Sequence, residues 1–280
     1  MSRNNKSRTA DLADTHVPLD NDPPQTTNLL DFIVPKELVD LPSKGQFYPE
    51  DHVLHNCEHV EVRHMTTKDE DIITSRTLLQ KGLAIPRLIE SVLETPVKYA
   101  DLLSGDKNMI LVSTRIFAYG ADYKSRIQCP ICTQPTEYDF DLRTLSTYGG
   151  NLTKYDRTPA GNFLVKLEKT GITAEVRLLT AGDEERLLKT TEHKKQKGMP
   201  ETTRTDQLKF IIVSLNGETD RGKINQCVLN LPAADARQLL KAYKEIVPDL
   251  DMTHHFECPN CYNGSELEVP VTAEFFWPKR

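Results

Sequence analysis

The chain has 280 residues, of which 38% are hydrophobic, enough for one large or two small globular domains of about 100 to 200 residues each. Lys and Arg total 35 against 41 Asp and Glu, a net charge of −6, which argues against a general binder of phosphate backbones because counterion release needs clustered positive charge. No run approaches the roughly 20 apolar residues that span a bilayer, and no apolar core follows the first basic residues, so neither a membrane span nor a secretory leader is expected. The expected compartment is cytoplasmic, where thiols stay reduced.

Residues 1–28 are rich in Asn, Asp, Thr, Ser and Pro and poor in large apolar groups, which predicts a disordered N-terminal arm. Structure is expected to begin near Leu29-Leu30-Asp31-Phe32-Ile33-Val34 and to firm up at Leu41-Pro42-Ser43-Lys44-Gly45-Gln46-Phe47-Tyr48. Thr67 with Glu70 reads as a capping box that opens a helix through Ile72, Ile73, Leu78 and Leu79 toward Gly82. Pro86 then opens a shorter helix through Leu88, Ile89, Val92 and Leu93. A longer helix is predicted from Asp106 to Tyr119 with Gly120 as its stop, followed by strand at Tyr138, Phe140 and Leu142.

The chain then repeats itself. Glu61-Val62-Arg63-His64-Met65-Thr66-Thr67-Lys68-Asp69-Glu70 returns as Glu175-Val176-Arg177-Leu178-Leu179-Thr180-Ala181-Gly182-Asp183-Glu184, with six of ten positions identical. Upstream, Pro42 with Gly45-Gln46-Phe47 echoes Pro159 with Gly161-Asn162-Phe163. Downstream, Asp106 precedes Cys129 by 23 residues, as Asp235 precedes Cys258. Alternation at Phe163, Val165, Leu167 and at Ala174, Val176, Leu178 predicts strands, and Thr180 with Asp183 a weaker capping box. The second copy is 15 residues longer between its shared Thr and its Cys, and the polar run Thr190–Thr205 reads as an inserted mobile loop. A helix from Ala233 to Ile246 stops before Pro248, and Leu267, Val269 and Val271 read as strand. These elements give an α+β fold of duplicated strand-helix units, residues 29–145 and 146–280, each ending in a cysteine knuckle.

Those knuckles, Cys129-Pro130-Ile131-Cys132 and Cys258-Pro259-Asn260-Cys261, supply four soft thiolates, the donor set of a closed tetrahedral zinc site. The expectation is one structural Zn2+ shared by Cys129, Cys132, Cys258 and Cys261 where β-ribbons from the two units meet on a pseudo-twofold axis. Four reduced surface thiols and a redox dithiol are the alternatives, the latter disfavoured because two matched pairs lack a single reactive pair in a thioredoxin-like setting. His55, Cys57 and His59 would share a strand face but lack a fourth ligand, and Cys57 and Cys227 read as small buried hydrophobes. His52 and His64 read as ordinary residues, His254 and His255 as neighbours of the Cys258 knuckle. Asp69, Glu70 and Asp71 are explained by a helix start. Neither a nucleophile elbow, a metalloprotease helix, a phosphate loop nor a dinucleotide fingerprint is found, so no enzyme is expected. The tail Phe275-Phe276-Trp277-Pro278-Lys279-Arg280 is expected to close the core, with partner anchoring as the alternative.

Leu41 to Tyr48, Thr66-Thr67-Lys68-Asp69-Glu70-Asp71, the Asp106 helix ending at Tyr119-Gly120, and Phe275-Phe276-Trp277-Pro278 together resemble the T4-type bacteriophage baseplate proteins, the hub assembly family of contractile-tailed phages. The resemblance runs from about residue 41 to 278. It implies a non-enzymatic hub subunit or assembly factor, with other phage hub or tail proteins as partners, acting in the host cytoplasm during assembly or residing in the virion tail. The alternative is a zinc-ribbon regulator that binds nucleic acid, which a basic stripe beside the knuckles would favour.

Overall fold

A computed structural model describes residues 34–151, 153–271 and 273–276. The expected arm at 1–28, the expected start at 29–33 and Trp277 lie outside the described residues. The described chain mixes helices with small antiparallel sheets.

The chain opens on a hairpin, β1 (Lys36–Asp40) against β2 (His59–Arg63), with Lys36 opposite Arg63 and Asp40 opposite His59. Val39, Val60 and Val62 point to the core, as period-two alternation requires. Residues 41–58 turn tightly between them. Gly45 sits at φ +70°, and a Cβ there would lie 2.2 Å from the Cys57 nitrogen and 2.4 Å from the Leu54 oxygen, so only glycine fits.

The helix start after β2 differs by one residue from the expected Thr67 and Glu70. Thr66 is the N-cap of α1 (Thr67–Thr74), and Asp69 supplies the carboxylate, accepting from the Thr66 N–H (2.8 Å) and hydroxyl (2.7 Å). Asp69 wins because Arg63 on β2 also holds it, at 2.7 and 2.9 Å. The predicted single helix breaks at Ser75, whose extended backbone ends α1 and caps α2 (Arg76–Gln80). The next helix, α3 (Ala84–Val92), starts before Pro86, which occupies its first turn. The long helix α4 (Ser104–Tyr119) starts two residues before Asp106 and stops at Gly120, φ +82°, as predicted.

From α4 the chain enters the hairpin β3 (Asp122–Gln128) and β4 (Pro135–Asp141), then β5 (Ser146–Tyr148). Leu142 begins a short 3-10 turn rather than extending β4. The second half opens on the three-stranded sheet β6 (Phe163–Lys166), β7 (Thr173–Val176) and β8 (Ile212–Leu215). Thr180 caps α5 (Ala181–Gln196) with Asp183, as predicted. The expected mobile loop Thr190–Thr205 is corrected: α5 runs through to Gln196, and α6 (Thr203–Ile211) begins after only six intervening residues. Lys194 holds the corner by donating to Thr202 and pairing with Asp206. Helices α7 (Arg221–Asn230) and α8 (Ala233–Ile246) follow, then β9 (Asp249–Asp251), β10 (Thr253–Glu257) and β11 (Gly264–Glu268). Strand β9 pairs with β5, and β10 with β11; Val269 and Val271 lie past the end of β11.

The two halves share local geometry at several points. Asp106 at the start of α4 accepts from the Ser43 N–H (3.0 Å), the Ser43 hydroxyl (2.6 Å) and the Tyr48 hydroxyl (2.8 Å), pinning the β1–β2 turn. Asp235 at the start of α8 accepts from the Lys169 and Thr170 N–H groups (both 2.9 Å) and the Thr170 hydroxyl (2.8 Å), pinning the β6–β7 turn. The upstream echo of Pro42 with Pro159 is corrected by this pairing. Pro42 follows β1, whereas Pro159 precedes β6, so Ser43 matches Thr170 in position.

One core surrounds β1, β2, α3 and α4, and a second lies between the three-stranded sheet and helices α6 to α8. Leu250, Val269, Phe275 and Phe276, late in sequence, pack in the first core. Arg115, 1% exposed, fixes that return by donating to the carbonyls of Phe275 (2.6 Å), Gly120 (2.6 Å) and Asp122 (3.2 Å). Three carbonyls satisfy a cation that burial would otherwise make costly.

Candidate metal centre

Each cysteine knuckle is the tip of a two-stranded ribbon. In β3–β4 the register runs from Asp122 opposite Asp141 to Gln128 opposite Pro135, which leaves Cys129 to Gln134 as the turn. The Cys129 N–H donates to the Gln134 carbonyl (3.1 Å), and the Thr133 N–H to the Cys129 carbonyl (2.9 Å). In β10–β11, Glu257 opposes Gly264 and the same two bonds recur, Cys258 to Asn263 (3.1 Å) and Tyr262 to Cys258 (2.8 Å). Thr133 and Tyr262 take the same left-handed conformation, φ 59° and 57°.

The two tips meet. All four sulfur atoms lie within 4.8 Å of one another. Cys129 Sγ is 3.8 Å from Cys261 Sγ, and Cys132 Sγ is 3.7 Å from Cys258 Sγ. Exchanging one knuckle for the other maps the first contact onto the second, so the sulfur cluster has local twofold symmetry. A tetrahedron built from metal–sulfur bonds of about 2.3 Å has edges of about 3.8 Å, so the cluster has the size of a four-thiolate zinc cage. All six cysteines are free thiols.

The surroundings suit such an ion. Cys129 and Cys258 are buried, and Cys132 and Cys261 half-buried. Phe256, Ile127, Tyr138 and Leu267 pack around them, and Tyr138 locks the ribbons by donating to the His255 carbonyl at 2.9 Å. The Cys132 N–H points at Cys129 Sγ, 3.5 Å away, and draws the Cys129 thiol down to about 6. The Cys261 thiol is lowered by the Asn263 N–H. For Cys132 the Gln134 N–H pulls down, but burial and the neighbouring sulfurs outweigh it and push that thiol up to about 12. Without a cation the four sulfurs cannot all ionise; a divalent ion removes that conflict.

The other candidate groups go elsewhere. His55, Cys57 and His59 do not share a strand face, because the first two lie in the turn before β2. His55 Nδ1 bonds the Tyr48 carbonyl (2.8 Å), Cys57 donates to the His59 carbonyl (2.9 Å), and His59 faces Asp40 (2.8 Å). Cys57 packs partly buried on the first core and Cys227 on the second. His52 stacks on Tyr48, and His64 on Phe117. His254 and His255 sit on β10, outside the sulfur cluster. Of the acidic trio, Asp69 is buried in the capping network, Glu70 accepts from the Tyr119 hydroxyl (3.1 Å), and Asp71 is exposed.

The knuckles are legible in the sequence; the clamps are not. Asp106 and Asp235 were visible only as a shared 23-residue offset from a cysteine. Their partners, Ser43 and Thr170, lie 63 and 65 residues away, where no spacing rule reaches.

No curated protein and no solved structure matches the chain. A family model described as T4 bacteriophage base plate protein matches residues 35–277. Nearly the whole described chain falls within that match, and the protein belongs to the T4 bacteriophage base plate protein family.

Proposed function

We propose that this protein is a non-enzymatic component of the phage baseplate hub, acting as a hub subunit or as an assembly factor in baseplate morphogenesis. The observation that carries the reading is the family match over residues 35–277. The sulfur cluster supports it: four thiolates around one ion leave no open position for a substrate or water, which is the arrangement of a structural rather than a catalytic centre. Cys129, Cys132, Cys258 and Cys261 hold one Zn2+, and the ion supplies a cross-link between ribbons 129 residues apart. The two halves, 29–145 and 146–280, descend from one duplicated strand-helix unit; the matched Arg–Asp caps, carboxylate clamps and knuckles support that descent. The partners are other hub or tail proteins, met in the host cytoplasm. The contact surfaces are the N-terminal arm, residues 1–28, and the corner formed by residues 190–205, which comprises the end of α5, a six-residue connection and the start of α6.

Infected cells separate the two roles. Antibody against this chain detects it in purified virions if it is a subunit and only in hub intermediates if it is an assembly factor. Absence from both overturns the hub reading. Deleting residues 1–28, or residues 190–205 with a short linker, reduces hub yield while the zinc content stays at one per chain; normal hub assembly by both truncations removes the proposed contact surfaces.

A further inference from the structure

The chain carries two surface patches of opposite sign. The corner from Lys189 to Lys209 holds six basic side chains (Lys189, Lys194, Lys195, Lys197, Arg204, Lys209) and three acidic ones (Glu192, Glu201, Asp206), +3 in a chain of −6, which leaves −9 elsewhere. Lys194 is committed to Asp206 and Lys189 to Glu185. Lys195, Lys197 and Arg204 are exposed and have no side-chain partner among the described residues. Lysines at the end of α5 suit the helix dipole, but Arg204 stands in the first turn of α6, where a cation is disfavoured. Local structure therefore does not account for the whole patch. Leu188 and Met199, 64% and 50% exposed, add apolar surface beside it.

The second patch is the outer face of the β10–β11 ribbon. The core-facing side is Phe256, while Thr253, His255, Glu257, Glu266 and Glu268 are exposed. No Lys or Arg occurs between Lys244 and Lys279, and none of the three glutamates has an ion-pair partner among the described residues. Glu266 and Glu268 are two apart on one face, and Glu257 lies diagonal to Glu266, so like charges face water uncompensated. The β3–β4 ribbon, by contrast, mixes signs, with Lys124 paired to Asp139.

We propose that the basic α5–α6 corner of one copy docks on the acidic β10–β11 ribbon of a second copy of this chain. Charge complementarity selects that occupant: the basic corner meets in a second copy three carboxylates without ion-pair partners among the described residues, the nearby Lys107 being paired with Glu184, whereas a nucleic acid would be repelled by the −9 of the remainder. The contact is heterologous, so each copy keeps one free patch of each sign and the association extends to rings or open chains. This goes beyond the hub reading and gives the 190–205 corner a second copy of the chain as its partner; it does not depend on the chain being a hub component.

Sedimentation of the zinc-loaded full chain tests it. At about 0.1 M salt, where screening acts over about 10 Å, the mass rises with protein concentration; at about 1 M salt, where it acts over about 3 Å, the monomer returns. K195E/K197E and E266K/E268K, all at exposed sites, each weaken association more than about tenfold, the effect of like charges placed in contact. Mixing the two variants restores association at one-to-one stoichiometry in an alternating assembly, because the reversed corner meets the reversed ribbon and the unaltered patches meet each other. A wild type that stays monomeric at low salt overturns the proposal, as does association that survives either reversal or fails to return on mixing. A labelled DNA duplex included in parallel reports the other class of partner: binding lost only in K195E/K197E, with a monomeric wild type, assigns the corner to nucleic acid and overturns self-association. Unchanged far-ultraviolet dichroism and zinc content confirm that the variants fold.

Discussion

The halves place the same groups in unequal surroundings. In the first, Asp69 is fully buried and held by both guanidinium nitrogens of Arg63, at 2.7 and 2.9 Å, and by Ser91 at 2.7 Å. In the second, Asp183 receives one bond from Arg177 at 2.6 Å, with Arg186 outside at 3.7 Å. Burial alone would raise both carboxyls; the arginines and Thr66 or Thr180 overcome it and leave both below the usual range. The clamps diverge further. Burial raises Asp106, which its three donors only partly offset and nearby Asp249 reinforces. Burial also opposes Asp235, but the Lys169 and Thr170 N–H groups prevail and its carboxyl is lowered. Both clamping carboxyls are fully buried, so the difference lies in their neighbours: Asp106 faces the carboxyl of Asp249, whereas Asp235 receives two backbone N–H groups and has Lys169 nearby.

The sulfur cluster, where the halves are most alike, gives the largest expected effect. With Zn2+ held there as proposed, chelation removes the ion's contribution, about 10 to 16 kcal/mol for structural zinc in zinc-finger peptides, and Cys129→Ser and Cys258→Ser each weaken it. By the local twofold the two substitutions lower the melting temperature equally; unequal melting shifts break that symmetry.

Removing the buried acids should separate the halves. Asp69→Ala strands Arg63, whose side chain is 18% exposed, and costs about 3 to 5 kcal/mol. Asp183→Ala strands Arg177, 30% exposed, and costs about 1 to 3 kcal/mol because water reaches that cation. Urea unfolding that finds equal costs would show the two networks to be equivalent.

Glycines in the two clamped turns sharpen the contrast at smaller scale. Gly45→Ala meets backbone atoms at 2.2 and 2.4 Å and costs about 3 kcal/mol. Gly171→Ala, at φ +69° with open space around it, costs only the left-handed penalty of about 1 to 2 kcal/mol.

The smallest effect is one of slope. A raised carboxyl such as Asp106 contributes stability below its unfolded pKa of about 3.9, and loses it as pH rises through the folded value. A lowered one such as Asp235 contributes above about 3.9 and loses it as pH falls through the folded value. The cost of Asp106→Asn is therefore greatest in acid and shrinks toward pH 7, while that of Asp235→Asn is greatest at pH 7 and shrinks in acid. Chemical unfolding between about pH 3 and pH 7 reads the two slopes, and slopes of the same sign contradict the assigned environments.

Much of this was legible along the chain. The stop at Gly120, the helix Ala233–Ile246 and the Thr180 cap are local events, written in residues within one turn of each other. Reading failed where local signals compete. Thr66 and Thr67 both resemble caps, and Arg63 on the neighbouring strand chose between their carboxylates. The run Thr190–Thr205 is polar enough to read as loop, but Lys194 reaching Thr202 and Asp206 holds its two helices together.

The sequence by itself determined the donor chemistry: four cysteines in two short turns, the helix boundaries around them, and the acidic balance of the chain. Tertiary structure alone decided that Cys129 faces Cys261 and Cys132 faces Cys258, that Asp106 and Asp235 hold turns more than 60 residues away, and that Phe275 and Phe276 return to the first core. The reason is the range of the forces. Capping and turn preferences act over three or four residues, whereas ribbons and cores are joined by burial, hydrogen bonds and ionic contacts that depend on proximity in space and not on distance along the chain.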